Sequence, residues 1–214
     1  MKLHSYESFE VDEKDLFSLS AFMSTRFEVT VDVNAKKLYE FSKENNISFF
    51  NSCVAAIYKA IEAIPEFKKY IVNGKGRQYS ETNIVLPLLK DDNSTQDVCI
   101  ESIDGFTSFG QWDEFLNHVK ENSYEYLMEF DEHSADAPIA ILSCMPWFYF
   151  TGFRNLLLSS DMFLTIIHWG KYENGKFPLA IEVNHTYIYA YHLGLFFDKL
   201  DEFMQNPELI FGGD

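Results

Sequence analysis

His185 closes the run Phe177-Pro-Leu-Ala-Ile-Glu-Val-Asn-His185, in which Phe177, Leu179, Ile181, Val183 and His185 alternate onto one face of a strand. A neutral imidazole at the end of such a ridge, where strand gives way to turn, can take a proton from a hydroxyl as a general base. The plainer account is a core histidine with one ring nitrogen satisfied. Ser143 lies near the end of another apolar strand, Ile141-Leu-Ser-Cys-Met-Pro-Trp147, and shares a face with Ile139, Ile141 and Met145. Its hydroxyl could donate to an oxyanion, but no Gly-x-Ser-x-Gly elbow makes it a nucleophile, and a strand serine bonded to backbone explains it as simply. Glu129, Asp131, Glu132, His133 and Asp136 offer hard oxygen to a divalent cation. Their spacing is not that of an EF-hand, however, and the segment reads as a solvated loop, so no metal is expected. Glu182-Val-Asn-His185 is on a strand and lacks the helical geometry of a zinc protease. Neither a Gly-x-Gly-x-x-Gly nor a Walker loop occurs.

The elements that hold these residues are legible from periodicity. Arg26–Val33 alternates strictly, with Phe27, Val29, Val31 and Val33 inward, which predicts a half-buried strand. Asn34 caps a helix bearing Leu38 and Phe41 that ends near Asn45-Asn46. Phe50, Cys53, Val54, Ile57, Ile61 and Ile64 mark an amphipathic helix closed by Pro65. Past the turn at 73–76, strands are predicted at Asn83–Leu89 and Asp97–Ser102, then a helix from Gln111 to Met128. Further strands follow at Ile139–Met145, Met162–Trp169 and Phe177–His185, and a last helix carries Leu193, Phe196, Leu200 and Met204. This order predicts an α+β, two-layer arrangement, a mixed β-sheet packed with helices rather than a doubly wound parallel sheet. No linker interrupts it, so residues 1–214 read as one domain.

Composition narrows the function. Seventeen Lys and Arg against 33 Asp and Glu leave a net charge of −16, a field that disfavours nucleic acid and anionic membrane as partners. A local basic pocket for one anionic small molecule remains open. Cys53, Cys99 and Cys144 contain no Cys-x-x-Cys pair and read as reduced thiols of a cytoplasmic protein. The acidic start of the chain and the lack of an apolar run of ~18 residues predict neither signal peptide nor membrane span. Aromatic residues reach 17%, many of them after Trp147, where a pocket or subunit interface would lie.

Several of these residues fall into a recognisable pattern. Pro178-Leu-Ala-Ile-Glu-Val-Asn-His185 with Leu193-Gly-Leu-Phe-Phe-Asp-Lys-Leu200 resembles the C-terminal signature of the chloramphenicol acetyltransferase family. Ser143-Cys-Met-Pro-Trp147 with Phe150-Thr-Gly-Phe153 is similar to its Ser-x-x-Pro-Trp-x-x-Phe-Thr-Ser-Phe stretch, and Gly170-Lys171-Tyr172 to its Gly-Lys-Tyr. The resemblance implies a CoA-dependent O-acetyltransferase moving acetyl from acetyl-CoA to a hydroxyl of chloramphenicol or a similar small molecule, with antibiotic resistance as the associated role. It implies His185 as general base, Ser143 on the oxyanion, Trp147 and Tyr172 near CoA, and Phe150 and His168 toward the acceptor. It further implies a homotrimer with active sites between subunits, and a catalytic histidine whose second ring nitrogen bonds to backbone. The chain is a divergent member by this measure: Asn184 stands for the first histidine of the pair, Tyr189 for the motif aspartate and Ala190 for the glycine. The arginine partner of that aspartate is missing from the early region around Asp12, Glu13 and Lys14. Two other readings stay open: a non-catalytic relative that binds a ligand or protein, and acyl transfer from a carrier domain.

Overall fold

The computed structural model describes residues 4–11, 25–128, 138–155 and 163–212. In chain order they form β1 (Tyr6–Phe9), β2 (Arg26–Asn34), α1 (Lys36–Glu44), α2 (Phe49–Glu62), β3 (Lys69–Val72), β4 (Lys75–Tyr79), β5 (Asn83–Leu89), β6 (Thr95–Ile100), α3 (Phe109–Glu121), β7 (Ile139–Met145), β8 (Thr165–Gly170), β9 (Lys176–Asn184) and α4 (Ala190–Gln205). Six strands make the predicted mixed sheet in the order β2-β9-β8-β7-β5-β6, with β7 parallel to β5 and β8 and the other pairs antiparallel. A second sheet, β1-β4-β3, was not legible, because β4 is the polar run Lys-Gly-Arg-Gln-Tyr without an apolar alternation.

The helices lie on one face of the large sheet. Leu142, Ile167, Trp169, Leu179, Ile181 and Val183 point into a core shared with Leu38, Val54, Ile57, Leu116 and Phe196. α2 is more deeply set than its one-sided pattern predicts: every residue from Asn51 to Tyr58 is buried, because the sheet and the other helices enclose it. Its polar side chains are paired accordingly, Ser52 with Ser42 at 2.9 Å and Asn51 Nδ2 donating to Asp113 at 2.7 Å. The helix expected over Gln111 to Met128 stops at Glu121. There Asn122 donates its side-chain amide to the His118 carbonyl, a 3-10 turn over Ser123–Tyr126 follows, and Leu127 bridges to Val98. The strand expected from Met162 begins at Thr165, and that from Asp97 begins at Thr95. Glu129, Asp131, Glu132, His133 and Asp136 lie outside the described residues. No helix among the described residues is long and apolar enough to cross a membrane.

Two features place the end of β9. The hairpin from β8 turns at Asn174 and Gly175, whose φ of +52° and +84° suit this pair and few others. β9 then pairs with β2 over nine residues, from Asn34↔Lys176 to Arg26↔Asn184, and His185 N extends the ladder by donating to Thr25 O at 2.7 Å. The start of β7 is tied to the small sheet by one hydroxyl: Tyr70 Oη donates to Ile139 O at 3.1 Å and accepts from Ile139 N at 2.9 Å.

Tyr70→Phe removes both of those bonds from a buried position. Urea denaturation is expected to show about 1–3 kcal/mol of lost stability with an unchanged m-value, and an unchanged midpoint would refute the tie.

Candidate active site

His185 is the first residue past β9 and is half-buried. Its ring is braced between Phe27, with centroids 4.8 Å apart, and Tyr189 at 5.1 Å. Nδ1 is buried and has no hydrogen-bond partner among the described residues, so the backbone bond implied by the family pattern is not formed. Asn184 is a turn-maker here, accepting from Thr186 N at 3.0 Å through Oδ1. Tyr189 caps α4 and its hydroxyl reaches Thr186 O at 3.4 Å, while its backbone N donates to His192 Nδ1 at 3.0 Å. An aromatic ring therefore holds the loop where the family pattern has an aspartate. A cavity of about 500 Å³ lies against this turn, lined by Phe9, Glu66, Lys69, Thr186, Tyr189 and His192 among others.

Ser143 occupies another place. It lies on β7 opposite His168 of β8, on the sheet face turned from the helices. β5 and β7 pair only from Asn83↔Ile139 to Val85↔Ile141, and beyond that point a cavity of about 520 Å³ opens onto Phe50, Lys90, Lys120, Ser143, Cys144 and Trp147. The charged residues in its lining are the two lysines, in a chain of net charge −16. Lys120 lies 4.7 Å from the Phe50 ring centroid and 2.5 Å from Asn51 Oδ1; burial holds its ammonium below the usual lysine range, partly offset by Asp113. Burial pushes the Cys144 thiol up to about 12, which keeps it protonated and poorly nucleophilic at neutral pH.

Trp147, 63% exposed, and Tyr172 lie just past the paired ends of β7 and β8. Tyr172 stacks on Tyr39 with centroids 4.5 Å apart and meets Phe49 at 5.2 Å. Lys171 N donates to Phe148 O at 2.9 Å, an approach that Gly170 permits: a Cβ there would come within 2.7 Å of Pro178 Cγ and 3.0 Å of Phe148 O. Phe150 and His168 come together through Phe153, whose ring lies 5.8 Å from one and 4.4 Å from the other.

Ser143 and His185 are not brought together within one chain. Ser143 is level with His168 and Ala180, two strands across the sheet, and His185 is five residues farther along β9. At ~3.3 Å per residue and ~4.8 Å per strand their Cα atoms are roughly 19 Å apart.

A polar cluster between them was missed in the sequence, where Glu182 was only an even-numbered strand position. Arg26 Nε donates to Glu182, its Nη2 donates to Leu164 O at 3.0 Å, and both side chains are buried. Glu28 faces Glu182 across the β2–β9 pairing. Burial first, then the Glu182 charge, raise the Glu28 carboxyl to about 7 against the pull of Arg154 and the Asn155 amide. His168 Nε2 bonds Asn155 Oδ1 at 2.7 Å, and burial lowers its imidazole to about 4 although Glu182 opposes the shift. The signal available was the charge pattern on β2, where Arg26 and Glu28 share a face with Thr30 and Asp32; nothing in one strand named their partners.

Comparison with known proteins places this geometry. The family model for chloramphenicol acetyltransferase matches residues 10–201. A chloramphenicol acetyltransferase of Staphylococcus aureus is 24% identical over 210 residues, covering 91% of this chain and 92% of that protein. A solved chloramphenicol acetyltransferase superposes with a TM-score of 0.76 at 19% identity, over 92% of this chain and all of that one. The cubic core of the pyruvate dehydrogenase multienzyme complex follows at 0.65 and 14%, over 92% and 88%.

The two shifted groups act on stability with opposite signs. Glu28, raised from 4.5 to about 7, contributes stability that is present below pH 4.5 and lost as pH rises through 7. His168, lowered from 6.5 to about 4, contributes stability that is present above pH 6.5 and lost as pH falls toward 4. Glu28→Gln removes the first alone, so its Tm relative to wild type is expected to be higher at pH 8 than at pH 5. Equal differences at both pH values would mean that Glu28 titrates as an ordinary carboxylate.

Proposed function

The chain belongs to the chloramphenicol acetyltransferase family, and on that premise we propose that it moves acetyl from acetyl-CoA to a hydroxyl of chloramphenicol or a similar small molecule. His185 acts as general base. It takes the acceptor proton as the hydroxyl oxygen attacks the thioester carbon, and the Ser143 hydroxyl donates to the oxyanion that forms. When the tetrahedral species collapses, the C–S bond breaks and the leaving thiolate takes the proton back from His185. No covalent acyl-enzyme is involved. The observation that carries the reading is the setting of His185, an imidazole clamped between Phe27 and Tyr189 at the end of β9, in a turn whose Thr186 and Tyr189 line a cavity.

The distance between Ser143 and His185 supports active sites shared between copies, as in the homotrimer that the family pattern implies, because one copy cannot apply both groups to one carbonyl. The lysine-lined cavity that reaches Ser143 suits a long anionic substrate such as acetyl-CoA, with Trp147 at its rim and Tyr172 nearby as further contacts. Phe150 and His168 face the acceptor in this scheme. Abundant acetyl-CoA and three free thiols fit a cytoplasmic setting. A second reading, a non-catalytic relative that binds ligand only, draws on the unpartnered Nδ1 of His185 and is separated by calorimetry: acetyl-CoA binding without turnover favours it.

His185→Ala is expected to lower CoA release with a hydroxyl acceptor by about 10²–10⁴-fold, with its melting transition retained. If wild type and variant behave alike across an acceptor panel, the base is elsewhere. Shared sites make a stricter prediction: His185→Ala and Ser143→Ala chains, each impaired alone, regain activity when refolded together, with about a quarter of the sites intact in a random mixture. Monomers in light scattering, or no recovery on mixing, would contradict a site built from two copies.

A further inference from the structure

The cavity that opens beside β7 brings two lysines, Lys90 and Lys120, into the same space as Ser143, and no carboxylate is part of its lining. Both ammoniums are held by neutral oxygens. Lys90 donates to the Ser123 hydroxyl at 2.8 Å, and Lys120 donates to Asn51 Oδ1 at 2.5 Å while lying over the Phe50 ring. Their positive charge is therefore not cancelled at the contact that orients them, and it reaches the cavity.

Lys120 is also fixed in direction. Asn51, on the fully buried stretch of α2, donates Nδ2 to Asp113 Oδ1 at 2.7 Å and to Asn117 Oδ1 at 3.0 Å. Asp113 accepts in addition from Ser48 N at 2.9 Å and from Asn117 Nδ2 at 3.0 Å. With both amide hydrogens of Asn51 committed to acceptors, its amide cannot be flipped, and Oδ1 must face Lys120. A long side chain that is ordered before a ligand arrives loses less entropy when it binds one.

The strand register sets the scale of that ligand. β5 and β7 run parallel with Val85 level with Ile141, so Ser143 is two residues past that level and Lys90 five. The difference is roughly 10 Å along the strands at ~3.3 Å per residue. An acetyl group at Ser143 does not span that interval, whereas a pantetheine arm does, and the diphosphate at its end offers several anionic oxygens to two ammoniums at once. We infer that Lys120 and Lys90 hold the phosphate at the far end of the pantetheine arm while the thioester lies at Ser143, so that this cavity selects donors that carry a phosphate. The inference rests on the acetyl-transfer reading and assigns its donor specificity to two residues outside the motifs of the family pattern.

The test compares donors that differ in the phosphate. Thiol release is followed with acetyl-CoA, S-acetylphosphopantetheine and S-acetylpantetheine, each with the same hydroxyl acceptor. The proteins are the full chain, Lys120→Met and Lys90→Met, with a thermal melt of each; Met keeps the unbranched side chain and removes the charge. Wild type is expected to show a kcat/KM for the phosphate-bearing donors about 10-fold or more above that for S-acetylpantetheine, and each variant should cut that ratio by about 10-fold. Lys90, just past β5, carries the test should Lys120→Met melt early. Equal use of the three donors by wild type, or variants that leave the ratio unchanged, overturns the phosphate site and leaves acetyl transfer standing. Calorimetry with CoA and pantetheine, without acceptor, separates the two claims. CoA affinity that falls about 10-fold in the variants, in a protein without turnover, sustains the site and sinks the reaction; CoA affinity that is the same in all three proteins sinks the site.

Discussion

The nine-residue antiparallel pairing of β2 with β9 is the constraint on which the rest depends. It delivers His185 to the end of an interior strand, sets Phe27 beside the imidazole, and places Arg26 and Glu182 where they can meet. The side-chain period of a strand is two, so a slip of one residue would turn Val183 and Ile181 out of the core and Glu182 into it. Burying an unpaired carboxylate there is far costlier than losing one ladder bond, so the register is firmly specified.

That pairing also divides the chemistry between two faces. The helix side is largely apolar, with α2 buried on nearly all sides. The opposite side holds Ser143, His168 and the Arg26–Glu182–Glu28 group. Departures from the family pattern make sense in this light. Asn184 makes a turn, Tyr189 braces by ring contact, and a buried ion pair, Arg26–Glu182, joins the neighbouring strands.

Much of the fold was legible. β5 and β7 begin and end where alternation and turn residues put them, and β2 and α2 differ by a residue or two, since apolar periodicity and caps are local properties. α3 was over-extended because Tyr126 and Leu127 continue the apolar spacing, whereas Asn122 and the bridge from Leu127 to Val98 end it. β1, β3 and β4 escaped notice, since runs of four or five residues are too short for alternation to mark them and become strands only when a neighbour supplies their hydrogen bonds. Of the candidate site, His185 and Ser143 were identifiable as types at strand ends, while the Glu28 constellation was not.

The amino-acid sequence alone determined the mixed α+β class, the strand-end positions of His185 and Ser143, and the family, because these are written in residue spacing. Only the tertiary structure decided that Ser143 and His185 stand apart, that Arg26 seeks Glu182 rather than an aspartate in the loop, and that Glu28, Asn155 and His168 share one patch. Such facts depend on which strands become neighbours, a choice made by the burial of the whole core and not by any segment taken by itself.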